Sequence, residues 1–269
     1  MAEVAPDERA RRRPAWRSVA VPSEHGGWGL TAEPVLLGLL VAPGLAGALV
    51  GLAALLAFVA RTPLRVLLVD RHRGRLLERT VLARRILVGE AGVLAALVVV
   101  VVLSAAGPFW IPLAAAAPLV IAELAFDARS RSRRLVPELA GTVGIGSVAA
   151  AIVLAGGGTA ATAVGTWTVV AARAVASVPF VRLQLARARG RPHRRWACDL
   201  AQAAAVALVG AGWVPGWIPG AAVVVVAVLA AAQVVLARTP PPRAAVLGAQ
   251  QVVLGLTVAV TAALGFRAP

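Results

Sequence analysis

Pro63-Leu64-Arg65-Val66-Leu67-Leu68-Val69-Asp70-Arg71-His72-Arg73-Gly74 has a counterpart 116 residues later, Pro179-Phe180-Val181-Arg182-Leu183-Gln184-Leu185-Ala186-Arg187-Ala188-Arg189-Gly190. Proline and glycine stand eleven positions apart in both stretches, and both end Arg-x-Arg-Gly. Two further matches keep the register. Pro22-Ser23-Glu24-His25-Gly26 parallels Pro137-Glu138-Leu139-Ala140-Gly141. Arg84-Arg85 followed by Glu90 parallels Arg194-Arg195 followed by Asp199, after a connection about six residues shorter. A long-period repeat marks a duplicated structural unit.

What the unit is made of follows from composition. Hydrophobic residues are 59% of the 269 and charged residues 14%, against about a quarter charged in a soluble domain. Nine apolar segments can be drawn, at 27–42, 44–61, 86–104, 109–127, 137–155, 161–182, 196–213, 217–237 and 246–266. Several approach or exceed the roughly 20 residues that cross a bilayer. The expected fold is all-α, a polytopic membrane bundle of about nine transmembrane helices. It comprises a disordered basic tail (1–21), a first four-helix repeat (22–134), a second (135–243) and a ninth helix (244–269).

Arginine orients this bundle. There is no lysine, and 25 of the 27 arginines fall in the N-terminal tail and in alternate connections. Of the other two, Arg173 lies within a segment and Arg267 near the C-terminus. The positive-inside rule puts the N-terminus and the charged connections in the cytoplasm and the C-terminus outside. The expected location is the bacterial inner (cytoplasmic) membrane. The net charge of +15 follows from this rule, with attraction to anionic lipid headgroups as a by-product. No nucleic-acid reading element is visible, and the single Cys198 permits no intramolecular disulfide.

Ionisable residues inside a membrane are costly and point to function. At about 1.5 Å per residue, Glu33 lies roughly 10 Å and Arg173 roughly 13 Å from the cytoplasmic ends of their helices, and Glu90, Glu123 and Asp199 roughly 6 Å. All are on the cytoplasmic side, which suggests a polar chamber open to the cytoplasm and closed beyond it. Such a chamber suits an anionic head on an apolar body, since the guanidinium fork binds phosphate or carboxylate in pairs. The candidate ligand-binding residues are Arg61, Arg65, Arg173, Arg182, Glu90, Asp199 and Glu138. Glu24 and His25 are candidate catalytic residues, as a proton-handling or head-group pair. The alternative is structural. Glu33 and Arg173 would neutralise each other, Glu90 and Asp199 would pair with arginines on their own helices, and the glycines beside His25 would admit a close helix crossing. His25, His72 and His193 lack any paired metal-ligand spacing, so no metal or other cofactor is expected.

Pro22-Ser23-Glu24-His25-Gly26-Gly27-Trp28 resembles the opening motif of the YwiC-like family of bacterial membrane proteins, Pro-x-Glu/Gln-His-Gly-Ala-Trp, with Gly27 in place of alanine. The nine-helix tandem architecture also resembles the UbiA prenyltransferase superfamily. That resemblance implies an isoprenyl diphosphate substrate held through magnesium by two aspartate-rich motifs, here at 61–78 and 173–191. The first stretch contains only Asp70 and Glu78 as acids, and the second none. Three readings follow: a membrane protein that binds a lipid or isoprenoid with an anionic head, with prenyl- or lipid-group transfer as its chemistry; a non-catalytic scaffold or assembly protein; and a small-molecule transporter. Membrane lipids are the expected partners.

Overall fold

The computed structural model describes residues 15–22, 25–129 and 134–268. These form ten helices and no strand. In chain order they are α1 (Ala15–Ala20), α2 (His25–Val41), α3 (Leu45–His72), α4 (Glu78–Ser104), α5 (Trp110–Ala128), α6 (Leu135–Ala155), α7 (Ala160–Ala188), α8 (Arg195–Trp213), α9 (Gly220–Leu236) and α10 (Ala244–Arg267). Six of them, α3 to α7 and α10, are long and apolar enough to cross a membrane. α2 and α9 are apolar but have 17 residues each. Within the stretch read as a basic tail, α1 lies against α3 and α4 with Val19 buried.

Several helices outrun the apolar segments. α3 continues to His72 where the hydrophobic run stops near Arg61, and α7 continues to Ala188. A backbone hydrogen-bond ladder does not need lipid around it, so the helix persists after the side chains turn polar. What ends α3 and α7 is the repeated Arg-x-Arg-Gly. Gly74 (φ +63°) and Gly190 (φ +61°) adopt the left-handed conformation that costs glycine little. Around them run the same two bonds. Gly74 N–H donates to the Arg71 carbonyl (3.1 Å) and Arg75 N–H to that of Asp70 (2.9 Å). Gly190 N–H donates to Arg187 (3.1 Å) and Arg191 N–H to Ala186 (2.9 Å). Each set is a Schellman cap.

α6 sits at the centre, in contact with α2, α3, α5 and α7. Its second half, from Gly144 to Ala155, is almost all small or β-branched and almost all buried. Membrane helices have no water to drive them together, so close approach of small residues carries the association. Ile152 illustrates the fit. A Cβ added at Gly38 would stand 2.8 Å from its side chain, and one at Gly47 2.9 Å. A second core joins α2, α7, α8, α9 and α10 around Leu37, Val169, Val209, Val226 and Ala262.

The arginine-bearing connections gather at one end of the bundle, where ion pairs tie α3 to α4, α3 to α5, α6 to α7, and α8 to the residue just after α9. At the other end Ala106 N–H donates to the Ala155 carbonyl (2.9 Å), and Trp110, Trp213 and Trp217 are exposed. α8 and α9 pack together, whereas α4 and α5 each pack on α3 with no substantial contact between them.

Candidate functional site

The arginines and acids of the arginine-rich end form a belt across α3, α5, α6 and α7. Arg61 on α3 donates through Nε (3.0 Å) and Nη2 (2.8 Å) to Asp127 Oδ2 on α5, and its Nη2 also lies 2.7 Å from Glu123 Oε1. Arg65, one turn along α3, brings Nε to 4.0 Å from the other oxygen of Asp127. Both pairs are spaced by four, so each presents one face of its helix to the other. The Glu123 carboxyl lies in the notch left by Gly141 on α6, where a Cβ would collide with it. One turn before Gly141, Glu138 accepts from Arg182 of α7 at 2.8 Å. Three arginines thus face three carboxylates. Glu123 and Asp127 complete this set and are absent from the candidate residues drawn from sequence. Their spacing, matched to that of Arg61 and Arg65, is the signal that could have found them.

A second polar cluster lies deep among α2, α7, α9 and α10. Arg173 is almost fully buried, with Nη2 at 3.4 Å from Glu33 Oε1 and 2.8 Å from the Gln251 carbonyl, to which it donates. Its Nη1 donates to Ser177 Oγ, which also accepts from Gln233 Nε2 at 3.1 Å. The Glu33 carboxyl fits where a Cβ on Gly255 would be. Beside it is a small cavity lined by Leu37, Val169, Val170 and Val258, with room for about one water molecule. Buried glutamines extend the cluster: Gln202 Nε2 donates to the Ala176 carbonyl (2.7 Å) and Gln184 Nε2 to that of Leu236 (2.8 Å). Glutamines carry no charge, and their depth gives no sequence signal as strong as that of Arg173.

The remaining candidates are dispersed. Asp199 pairs with Arg238 across helices (3.2 Å), not with Arg194 or Arg195. Glu90, on α4, is half-buried, with Oε2 buried and without a hydrogen-bond partner among the described residues. Glu24 and the side chain of His25 lie outside the described residues. Asp70 is fully buried and satisfied by Arg79 (2.6 and 3.2 Å) and Thr80 (2.7 Å).

The donors at 61–78 and 173–191 do not fit the magnesium site that the UbiA resemblance implies. Asp70 is already engaged by a cation, and the second stretch offers arginine and glutamine. Among the described residues no three of His, Cys, Asp and Glu converge as metal ligands.

No curated protein and no solved structure is found to match the chain. Residues 21–153, which span α2 to most of α6, match the family model described as YwiC-like protein. Over that stretch, just under half of its length, the chain is similar to the YwiC-like family.

Proposed function

We propose that this is a multi-pass protein of the bacterial inner membrane, with its N-terminus and arginine-rich end in the cytoplasm, that takes up an amphiphile with an anionic head. The observation that carries this reading is the separation of α4 from α5. Their counterparts under the repeat, α8 and α9, are in contact. A gap over α3 between α4 and α5 would give a lipid or isoprenoid body a lateral way in from the bilayer. Arg61 and Arg65 stand on α3 at its cytoplasmic end, 28% and 38% exposed, and would meet the head. Glu90 on α4, with an unsatisfied buried oxygen, would orient a donor on the ligand. Transfer of a prenyl or lipid group is the chemistry such a site would carry, with arginine supplying the charge that magnesium supplies in UbiA-type enzymes.

A two-copy architecture is part of the proposal. Keeping the six-residue shortening, Arg61 and Glu123 correspond to Ser177 and Gln233. Both pairs bond between the equivalent helices, α3 with α5 and α7 with α9. The charged version lies in the open half and the neutral one in the closed half, as expected if one copy kept the ligand site.

The test is thermal unfolding of detergent-purified protein with geranylgeranyl diphosphate, with and without magnesium. Stabilisation that needs no metal, and is lost in Arg65→Gln, is the expected result. No shift in either condition removes this reading. A second reading, a non-catalytic scaffold, is favoured by one observation: Arg61, Arg65, Arg173 and Arg182 all face carboxylates of the same chain. It predicts no ligand response and a large stability loss when any of these pairs is broken.

A further inference from the structure

Two arginines stand apart from every ion pair described above. Arg84 and Arg85, in the second turn of α4, are exposed and have no hydrogen-bond or ion-pair partner among the described residues. With Val81 and Val88 they line a surface groove of about 400 Å³. Both valines are exposed, Val88 by 65%. Beyond Val88 the exposed side of α4 is apolar, through Val93, Val98, Val99, Val102 and Leu103.

The level of these arginines follows from helix geometry. From Ile86 to Leu103 the uncharged run, broken only by the half-buried Glu90, spans about 26 Å at a rise of about 1.5 Å per residue. That is close to the roughly 30 Å hydrocarbon core of a bilayer. Arg84 and Arg85 therefore fall at the boundary between acyl chains and headgroups. Both arginines line the same groove, so their long side chains can converge on one phosphate. Their charge is not offset by any carboxylate, unlike that of Arg61, Arg65 or Arg182.

We propose that the α4 groove is a binding site for an anionic membrane phospholipid, its phosphate held by Arg84 and Arg85 and its acyl chain lying along Val88 and the apolar face beyond. Val81 closes the groove on the headgroup side. A free phosphate would use the arginines but gain nothing from the valines. The apolar half of the groove selects the lipid. This site is separate from the one built on Arg61 and Arg65, and neither proposal rests on the other.

The experiment is native mass spectrometry of the full chain released from nanodiscs that contain phosphatidylglycerol and phosphatidylcholine. The wild type is expected to retain phosphatidylglycerol preferentially. Arg84→Gln/Arg85→Gln should lose about 30-fold of that preference, from two arginine–headgroup contacts. Arg71→Gln/Arg75→Gln removes the same charge from the exposed end of α3 and the connection after it and should keep it. Unfolding in phosphatidylcholine alone should be the same for all three proteins. Equal loss in both double variants would reduce the effect to diffuse attraction and overturn the proposal. So would a wild type with no preference, or displacement of the lipid by inorganic phosphate alone. Geranylgeranyl diphosphate stabilisation should survive Arg84→Gln/Arg85→Gln, which separates a failure here from a failure of the α3 site.

Discussion

Glu33→Gln removes the carboxylate that faces Arg173 while keeping the shape of the side chain. The side chains are 9% and 3% exposed, so the variant leaves a guanidinium in the interior without its counter-charge. Breaking a buried pair from one side costs about 3–5 kcal/mol. The low end applies here. The contact replaced is single and long, 3.4 Å, and Arg173 keeps its bonds to Ser177 and the Gln251 carbonyl. Arg173→Gln loses all of these together and strands Glu33 against Gly255, so it belongs near the upper end, about 5 kcal/mol. The double variant removes both charges and leaves two amides able to bond each other. Its loss should fall short of the sum by about 2–3 kcal/mol, the upper range for residues in direct contact. Steric-trap unfolding in bicelles measures all four corners of the cycle. Losses that add, within about 0.5 kcal/mol, would refute the claim that the two charges hold each other in place.

The glycine notches give a second test. Gly255→Ala puts a Cβ on the Glu33 carboxyl and should cost about 1–3 kcal/mol by overpacking. Gly248→Ala, seven residues earlier in α10 with nothing within 4 Å of the added atom, should be neutral or gain up to about 1 kcal/mol of helix propensity. Gly74→Ala and Gly190→Ala each force a side chain into the left-handed region at a cost of about 1–2 kcal/mol. The two values should agree within error in thermal unfolding, because the caps share one geometry. Asp70→Asn weakens the tie to Arg79 and Thr80, and limited proteolysis of the 73–77 connection should then speed up.

How much of this was legible in the sequence differs from residue to residue. Arg-x-Arg-Gly repeats in the sequence, and the structure holds two caps with the same bonds there. A local motif fixes local geometry, so this much travels in sequence. Pairing across helices does not. Arg85 and Arg84 precede Glu90 by five and six residues, which puts each on a different face of α4 from the acid. Their proximity in sequence carried no contact. Arg195 and Asp199 are four apart and could have met, yet Arg238 reaches Asp199 from beyond α9 with two guanidinium nitrogens. A bidentate partner from another helix prevails over a single contact along one helix. Gln184, Gln202 and Gln233 are harder to read because a neutral amide inside an apolar helix carries no charge that would demand a partner.

The pairing pattern divides the arginines into two kinds with different work. Arg61, Arg65 and Arg182 face Glu123, Asp127 and Glu138 in equal number, so their belt is neutral and its field falls off within the bundle. An anionic head would reach them only by competing with carboxylates already in place. That would make the proposed α3 site selective for a strong, multiply charged head and indifferent to ordinary phospholipid. Arg84 and Arg85 have no such competitor and would take any anionic headgroup that diffuses past α4. A diphosphate and a phospholipid would therefore sort between the two sites by charge: Arg65→Gln should abolish the first response and Arg84→Gln/Arg85→Gln the second, each sparing the other.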